Sequence, residues 1–121
     1  MLHLIRPDHL RSFFPPPNDV TRTRRFEGEQ FEAGISFFLV DNEPGEGPDL
    51  HRHPYPETFI VRAGQALFST GSERAEAESG DIIVVTSGTP HGFTNLGPGR
   101  LEVVCIHAAT IGAQFAWRRG A

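Results

Sequence analysis

A succession of short segments rich in Phe, Val, Ile and Thr, each ended within a few residues by Gly, Pro, Ser or Asn, leaves this chain little to fold into except short strands joined by turns. The segments run from Val20 to Phe26, Ile35 to Asp41, Thr58 to Arg62, Gln65 to Ser69, Arg74 to Ala77, Ile82 to Val85, Gly92 to Asn95 and Leu101 to His107. Many short strands at this spacing make a sandwich or a barrel, so an all-β fold is expected. Thr70-Gly71-Ser72 reads as a hairpin turn and Glu78-Ser79-Gly80-Asp81 as the next. Two helical fragments are expected, Pro7 to Phe13 with Asp8 near its start, and Ile111 to Trp117 after the last strand. Pro15-Pro16-Pro17 must be extended and ends the first of these as a stiff connector.

A chain of 121 residues is large enough for one core and not for two. One domain covers 1–121, with a core barrel over about 20–108, an N-terminal arm over 1–19 and a C-terminal tail over 109–121; no repeat or domain linker interrupts it. The formal charge of -4 gives no electrostatic reason to expect nucleic acid or an anionic membrane as a partner. All eleven basic residues are Arg, which removes Schiff-base lysine chemistry. Cys105 is the only cysteine, so no internal disulfide forms and a reducing, cytoplasmic setting is expected. Apolar runs such as Ile35 to Val40 are too short to span a membrane.

The chemistry is concentrated in His51-Arg52-His53-Pro54-Tyr55-Pro56-Glu57, answered far down the chain by His91. In an extended segment, positions i and i+2 point to one face, so His51 and His53 present two imidazoles side by side. Glu57 has the same parity, and the prolines before it suggest a bend that swings its carboxylate toward the same point. Three neutral imidazoles and one hard oxygen, without a thiolate, suit iron, manganese, nickel, zinc, copper or cobalt. The pattern indicates one divalent transition metal per chain without choosing among these ions.

The spacing of the surrounding glycines resembles that of a known family. Gly45, His51, His53, Glu57 and Gly64 fall at the fixed positions of the first signature of the cupins; Gly80, Gly88, His91 and Asn95 resemble the second. Thr86 stands where that second signature usually has proline. The resemblance spans Gly45 to Asn95 and implies a double-stranded β-helix, or jelly roll, with the metal inside the barrel and its mouth open to a small-molecule substrate. It also implies a homodimer, for which Phe26, Phe31, Phe115 and Trp117 offer apolar cover.

Other residues carry weaker signals. The motif glycines are expected to supply positive φ where strands reverse. Phe59, Phe68 and Phe93 are expected to pack in the core, with pocket lining as the alternative. Tyr55 is a candidate acid at the mouth, although its place between two prolines suggests an exposed loop ring. His107 shares a face of the last strand with Cys105; if that face is inward, it becomes a candidate general base or a partner that orients a ligand. Arg22, Arg24 and Arg25 read as the solvated face of an edge strand, or as one substrate-carboxylate contact among them. His3 and His9 receive no role.

A six-coordinate ion held by four protein ligands keeps two positions for water, oxygen or a chelating substrate. One carboxylate leaves a divalent ion with net positive charge, which favours enolates, catecholates, carboxylates and α-keto acids. The expected function is a metal-dependent enzyme on a small anionic or chelating molecule, oxygenase chemistry ranking ahead of isomerase, cyclase or lyase chemistry on the family resemblance alone. The alternative is a non-catalytic cupin that binds a metal or metabolite as a sensor or storage module.

Overall fold

The strand Leu101–His107 buries Leu101, Val103, Cys105 and His107, turns Glu102 to solvent and leaves Val104 and Ile106 half-buried. Such a period of two marks a strand with one face on a core. A computed structural model describes residues 1–12 and 22–108, and places this strand in the middle of the larger of two antiparallel sheets. In chain order the strands are β1 (Arg11–Ser12), β2 (Arg24–Glu27), β3 (Ser36–Asn42), β4 (Glu57–Ala63), β5 (Gln65–Ser69), β6 (Arg74–Glu78), β7 (Ile82–Val85), β8 (Gly92–Asn95) and β9 (Leu101–His107). The six-stranded sheet has the order β1-β2-β3-β9-β4-β7 and the three-stranded sheet β6-β5-β8.

Side chains from both sheets meet in one core of Phe38, Phe59, Val61, Ala66, Phe68, Ala77, Val85, Phe93, Leu101, Val103 and Cys105, against which Val40 and Ile83 pack. Phe59, Phe68 and Phe93 form its aromatic centre, with ring centroids 5.0 Å apart for Phe59–Phe68 and for Phe68–Phe93, and 5.8 Å for Phe59–Phe93. The barrel is therefore filled at this level, and the open chemistry lies beyond it.

The motif glycines Gly45, Gly64, Gly80 and Gly88 all have positive φ, as the turn reading requires. Gly64 carries a second constraint, since a Cβ there would sit 2.4 Å from the Arg100 carbonyl oxygen. At the position of the missing proline, Thr86 closes its turn by hydrogen bonds: Thr89 N–H donates to Thr86 O at 3.2 Å, and the two hydroxyls lie 2.9 Å apart.

Several expectations change. Pro7–His9 is a single turn of 3-10 helix, and the chain then extends into β1 at Arg11, so the expected helix to Phe13 does not form over the described residues. Pro7 suits the start of the turn, and the extended conformation of Leu10 ends it. The expected helix from Ile111 to Trp117 and the triple proline lie outside the described residues. β2 is not an edge, because β1 pairs with its outer side. Arg22 precedes that strand and meets Asp41 at 3.4 Å, while Arg25 lies 4.0 Å from Glu27. Thr70-Gly71-Ser72 joins the paired strands β5 and β6, but Glu78 to Asp81 is a crossover between sheets and not a hairpin. Backbone bonds from Gly80 N–H to Val61 O (2.8 Å) and from Val61 N–H to Asp81 O (3.0 Å) tie this crossover to β4 and redirect the chain.

Candidate metal centre

His51 and His91 exchange two backbone hydrogen bonds, His51 N–H to His91 O at 2.9 Å and His91 N–H to His51 O at 2.8 Å. This isolated antiparallel bridge, outside any named strand, is what brings the two distant imidazoles together, with ring centroids 4.5 Å apart. His53 is fixed two residues on, where its carbonyl accepts the Gly88 N–H at 2.7 Å. The chain then bends at Pro54-Tyr55, and β4 begins at Glu57 itself, one residue earlier than the sequence pattern indicates. The two prolines thus do what their chemistry requires: they keep the approach out of the ladder and let the carboxylate enter the barrel.

The four side chains His51, His53, Glu57 and His91 offer ligand atoms that all lie within 4.8 Å of one another. Glu57 Oε1 lies 2.7 Å from His53 Nε2 and 2.9 Å from His91 Nε2. Two backbone carbonyls orient the rings, Asp49 O accepting from His51 Nδ1 at 2.7 Å and Thr89 O from His91 Nδ1 at 2.8 Å. With Nδ1 committed as donors, the Nε2 atoms of these two rings are left for the cluster. His53, Glu57 and His91 are buried and His51 is half-buried, so solvent approaches from the side of His51.

His107 lies inward, as the condition on its strand face demands, and is almost wholly buried. It stands apart from the four-residue set and contacts it through the carboxylate, its Nε2 lying 3.2 Å from Glu57 Oε2, within ion-pair reach but not aligned as a hydrogen bond. Its Nδ1 pairs with the Tyr55 hydroxyl at 2.9 Å. Tyr55 is consequently not an exposed loop ring: it is half-buried and stacks on His53, with ring centroids 5.0 Å apart and planes 4° from parallel. Phe59 touches the site from below, its ring centroid 5.7 Å from that of His91, whereas Phe68 and Phe93 pack on Phe59 and on each other. The packing reading of these phenylalanines therefore describes them better than the pocket-lining one.

Residues 38–107 match the family described as Cupin domain. The chain is a cupin. Among solved structures, this cupin resembles an uncharacterized conserved protein with a double-stranded beta-helix domain from Klebsiella pneumoniae (20% identity, 98% of this chain and 100% of that one, TM-score 0.71). It also resembles oxalate decarboxylase from Bacillus subtilis (22% identity, 78% of this chain and 27% of that one, TM-score 0.69). Oxalate oxidase in complex with the substrate analogue glycolate is a third (22% identity, 72% and 50%, TM-score 0.64). The cupin spans about a quarter of the oxalate decarboxylase chain, and at these identities the likeness is one of fold. No curated protein matches the chain. Among the described residues no helix is long and apolar enough to cross a membrane.

The donor set fits a divalent transition metal. Neighbouring ligand atoms about 2.1 Å from one ion and at right angles to each other are roughly 3 Å apart. The contacts of Glu57 Oε1 with His53 Nε2 and His91 Nε2, at 2.7 and 2.9 Å, have that spacing. His53 Nδ1 is buried with no hydrogen-bond partner among the described residues. A position that only had to be filled would hold an apolar side chain at lower cost, so the ring is there for its other nitrogen. Ionisation states agree. Burial alone would raise the Glu57 pKa, but its contacts with His107, His53 and His91 outweigh it and hold the carboxyl well below the usual range. Burial lowers the pKa of His51, which favours the neutral, ligating imidazole. The Tyr55 hydroxyl is pushed up to about 12, first by burial and then by the Glu57 charge, and stays protonated. Burial and Glu57 also raise the Cys105 thiol well above its ordinary value, which leaves it an unreactive core residue.

Sequence reasoning missed the carbonyls of Asp49 and Thr89, which orient two of the imidazoles. Every residue has such a carbonyl, so no side-chain signal marks them. It also missed Gly47, where a Cβ would lie 1.8 Å from Phe93 O; the loop leading to His51 passes so close to β8 that only glycine fits.

Proposed function

We propose that this cupin is a metal-dependent enzyme acting on a small anionic or chelating organic molecule, with oxygenase chemistry ahead of isomerase, cyclase or lyase chemistry. The observation that carries the reading is the convergence of three imidazoles and one ionised carboxylate from separate segments on one buried point. A divalent ion held by these residues supplies Lewis acidity and, if it is iron or manganese, one-electron chemistry as well. His51, His53 and His91 bring no charge, and Glu57 brings one negative charge, so the loaded centre stays positive and attracts anions. Oxalate decarboxylase and oxalate oxidase, named among the similar structures, act on a substrate of that class, and one similar structure concerns the Mn(II) centres of the decarboxylase. Manganese and iron are therefore the first ions to test. Both nitrogens of His107 face protein groups, which favours a role in holding Glu57 over direct proton transfer to a substrate.

The test loads chelator-treated protein separately with Mn(II), Fe(II) and Zn(II), and follows oxygen uptake with dicarboxylates, α-keto acids and catechols. Oxygen consumption with iron or manganese, absent with zinc and in Glu57→Gln, supports the oxygenase reading. Substrate turnover with zinc and no oxygen uptake moves the assignment to Lewis-acid isomerase, cyclase or lyase chemistry. Metal binding with no turnover across these substrate classes favours the sensor or storage module.

A further inference from the structure

Glu57 uses its two oxygens differently. Oε1 faces His53 Nε2 and His91 Nε2, while Oε2 is turned away from those rings and toward His107 Nε2 at 3.2 Å. A carboxylate free to rotate would offer either oxygen, or both, to an ion; here one oxygen has a neighbour of its own. Whether that neighbour holds it depends on which nitrogen of His107 carries the proton, because a neutral imidazole has one donor and one acceptor. Among the described residues, the polar side chain paired with the opposite nitrogen is Tyr55, 2.9 Å from Nδ1. A carboxylate oxygen can only accept, so the approach of Oε2 to Nε2 places the His107 proton on Nε2, and the Tyr55 hydroxyl is then the donor to Nδ1.

The arrangement that delivers this hydroxyl is a built one. Pro54 and Pro56 fix the backbone on either side of Tyr55, and the ring lies flat on His53. One contact sets the ring plane and the other end of the same side chain reaches His107. Phenylalanine would keep the stacking and lose only the hydroxyl. We infer that Tyr55 is a positioning residue of the metal centre, which through the tautomer of His107 restrains Glu57 Oε2 and presents Glu57 to a divalent ion by Oε1 alone. The inference rests on the metal-binding reading above and extends it to residues outside the ligand set.

The experiment measures Mn(II) and Co(II) affinity by calorimetry on the full-length protein, together with the Mn(II) EPR spectrum, for wild type, Tyr55→Phe, His107→Gln and the double variant. Loss of an outer partner of a ligand typically weakens metal binding by about 10- to 100-fold. Tyr55→Phe is expected to show a loss in that range and an altered zero-field splitting, while metal-free protein keeps its melting temperature within a few degrees. In the His107→Gln background the imidazole whose tautomer Tyr55 sets is gone, so adding Tyr55→Phe is expected to change nothing further. Wild type that binds neither ion overturns the metal reading and this inference with it. Wild type that binds while Tyr55→Phe binds equally well, with an unchanged spectrum, overturns the inference alone. So does a loss of equal size in both backgrounds, which would assign the effect to the ring on His53 and not to His107.

Discussion

Glu57 and His107 are direct cross-strand partners in the β4–β9 pairing, so the carboxylate oxygen not shared with His53 and His91 lies 3.2 Å from an imidazole at the far end of the sequence. The sheet that supports the site also supplies a member of it. Ligand geometry and fold stability are therefore coupled, and the consequences are measurable.

Metal should stabilise the fold by mass action, because its ligands come from segments that only folding brings together. At a free concentration one hundred times Kd, the gain is about 2.7 kcal/mol, which for a chain of this size raises Tm on the order of 10 °C. Differential scanning fluorimetry with and without Mn(II), followed by chelation, reads this shift. His51→Ala and His91→Ala should abolish it, while Arg52→Ala, an exposed position between the two ligands, should retain it. A shift that survives His91→Ala would place the ion elsewhere.

Glu57→Gln should destabilise metal-free protein at neutral pH by about 3 to 5 kcal/mol, since it leaves buried imidazoles without their anionic partner. The folded-state pKa of Glu57 is depressed, so its contribution is fully present above the unfolded carboxyl value of about 4.3 and is lost as pH falls below it toward the folded value. The stability gap between wild type and variant in urea should accordingly begin to narrow below about pH 4.3, by up to about 1.4 kcal/mol per pH unit over the window down to about pH 3. A gap that stays constant over that window would show that the loss comes from packing.

Asn95 is a buried staple for the loop before β9. Its side-chain amide donates to Asn42 O at 3.1 Å and Gly99 O at 2.9 Å, and its oxygen accepts from Gly97 N–H at 2.7 Å. Asn95→Ala should cost about 3 kcal/mol by stranding three backbone groups, yet leave Mn(II) affinity within a factor of about 3, a span of less than 1 kcal/mol. A large fall in affinity would tie this loop to the site.

Gly64→Ala and Gly71→Ala separate backbone strain from collision. Both glycines have positive φ, but only Gly64 has a carbonyl oxygen where a Cβ would go, while nothing lies within 4 Å of the Cβ position at Gly71. Gly71→Ala should cost about 1 kcal/mol, and Gly64→Ala at least twice that, by thermal or urea unfolding. Equal costs would mean that the Arg100 segment moves aside freely.

Local order is what the sequence by itself determined. Period-two alternation from Leu101 to His107 fixed which residues of β9 could face inward together, turn formers bounded nearly every strand, and the spacing of His51, His53, Glu57 and His91 named a metal-binding set that the fold gathers. These signals are one-dimensional, because side-chain parity and φ preference depend on a residue and its immediate neighbours. Pairing between distant strands decided the remainder. Glu78 to Asp81 has the chemistry of a hairpin turn, and only the hydrogen bonds of Gly80 and Asp81 to Val61 make it a crossover. The parity of His107 placed it beside Cys105, but only the β4–β9 register puts it against Glu57. Tyr55 between two prolines reads as a loop ring in sequence, and it becomes part of the site because the bend lays it on His53 and beneath the reach of His107. Register and long-range approach are set by the total burial of both sheets, a quantity no single segment carries.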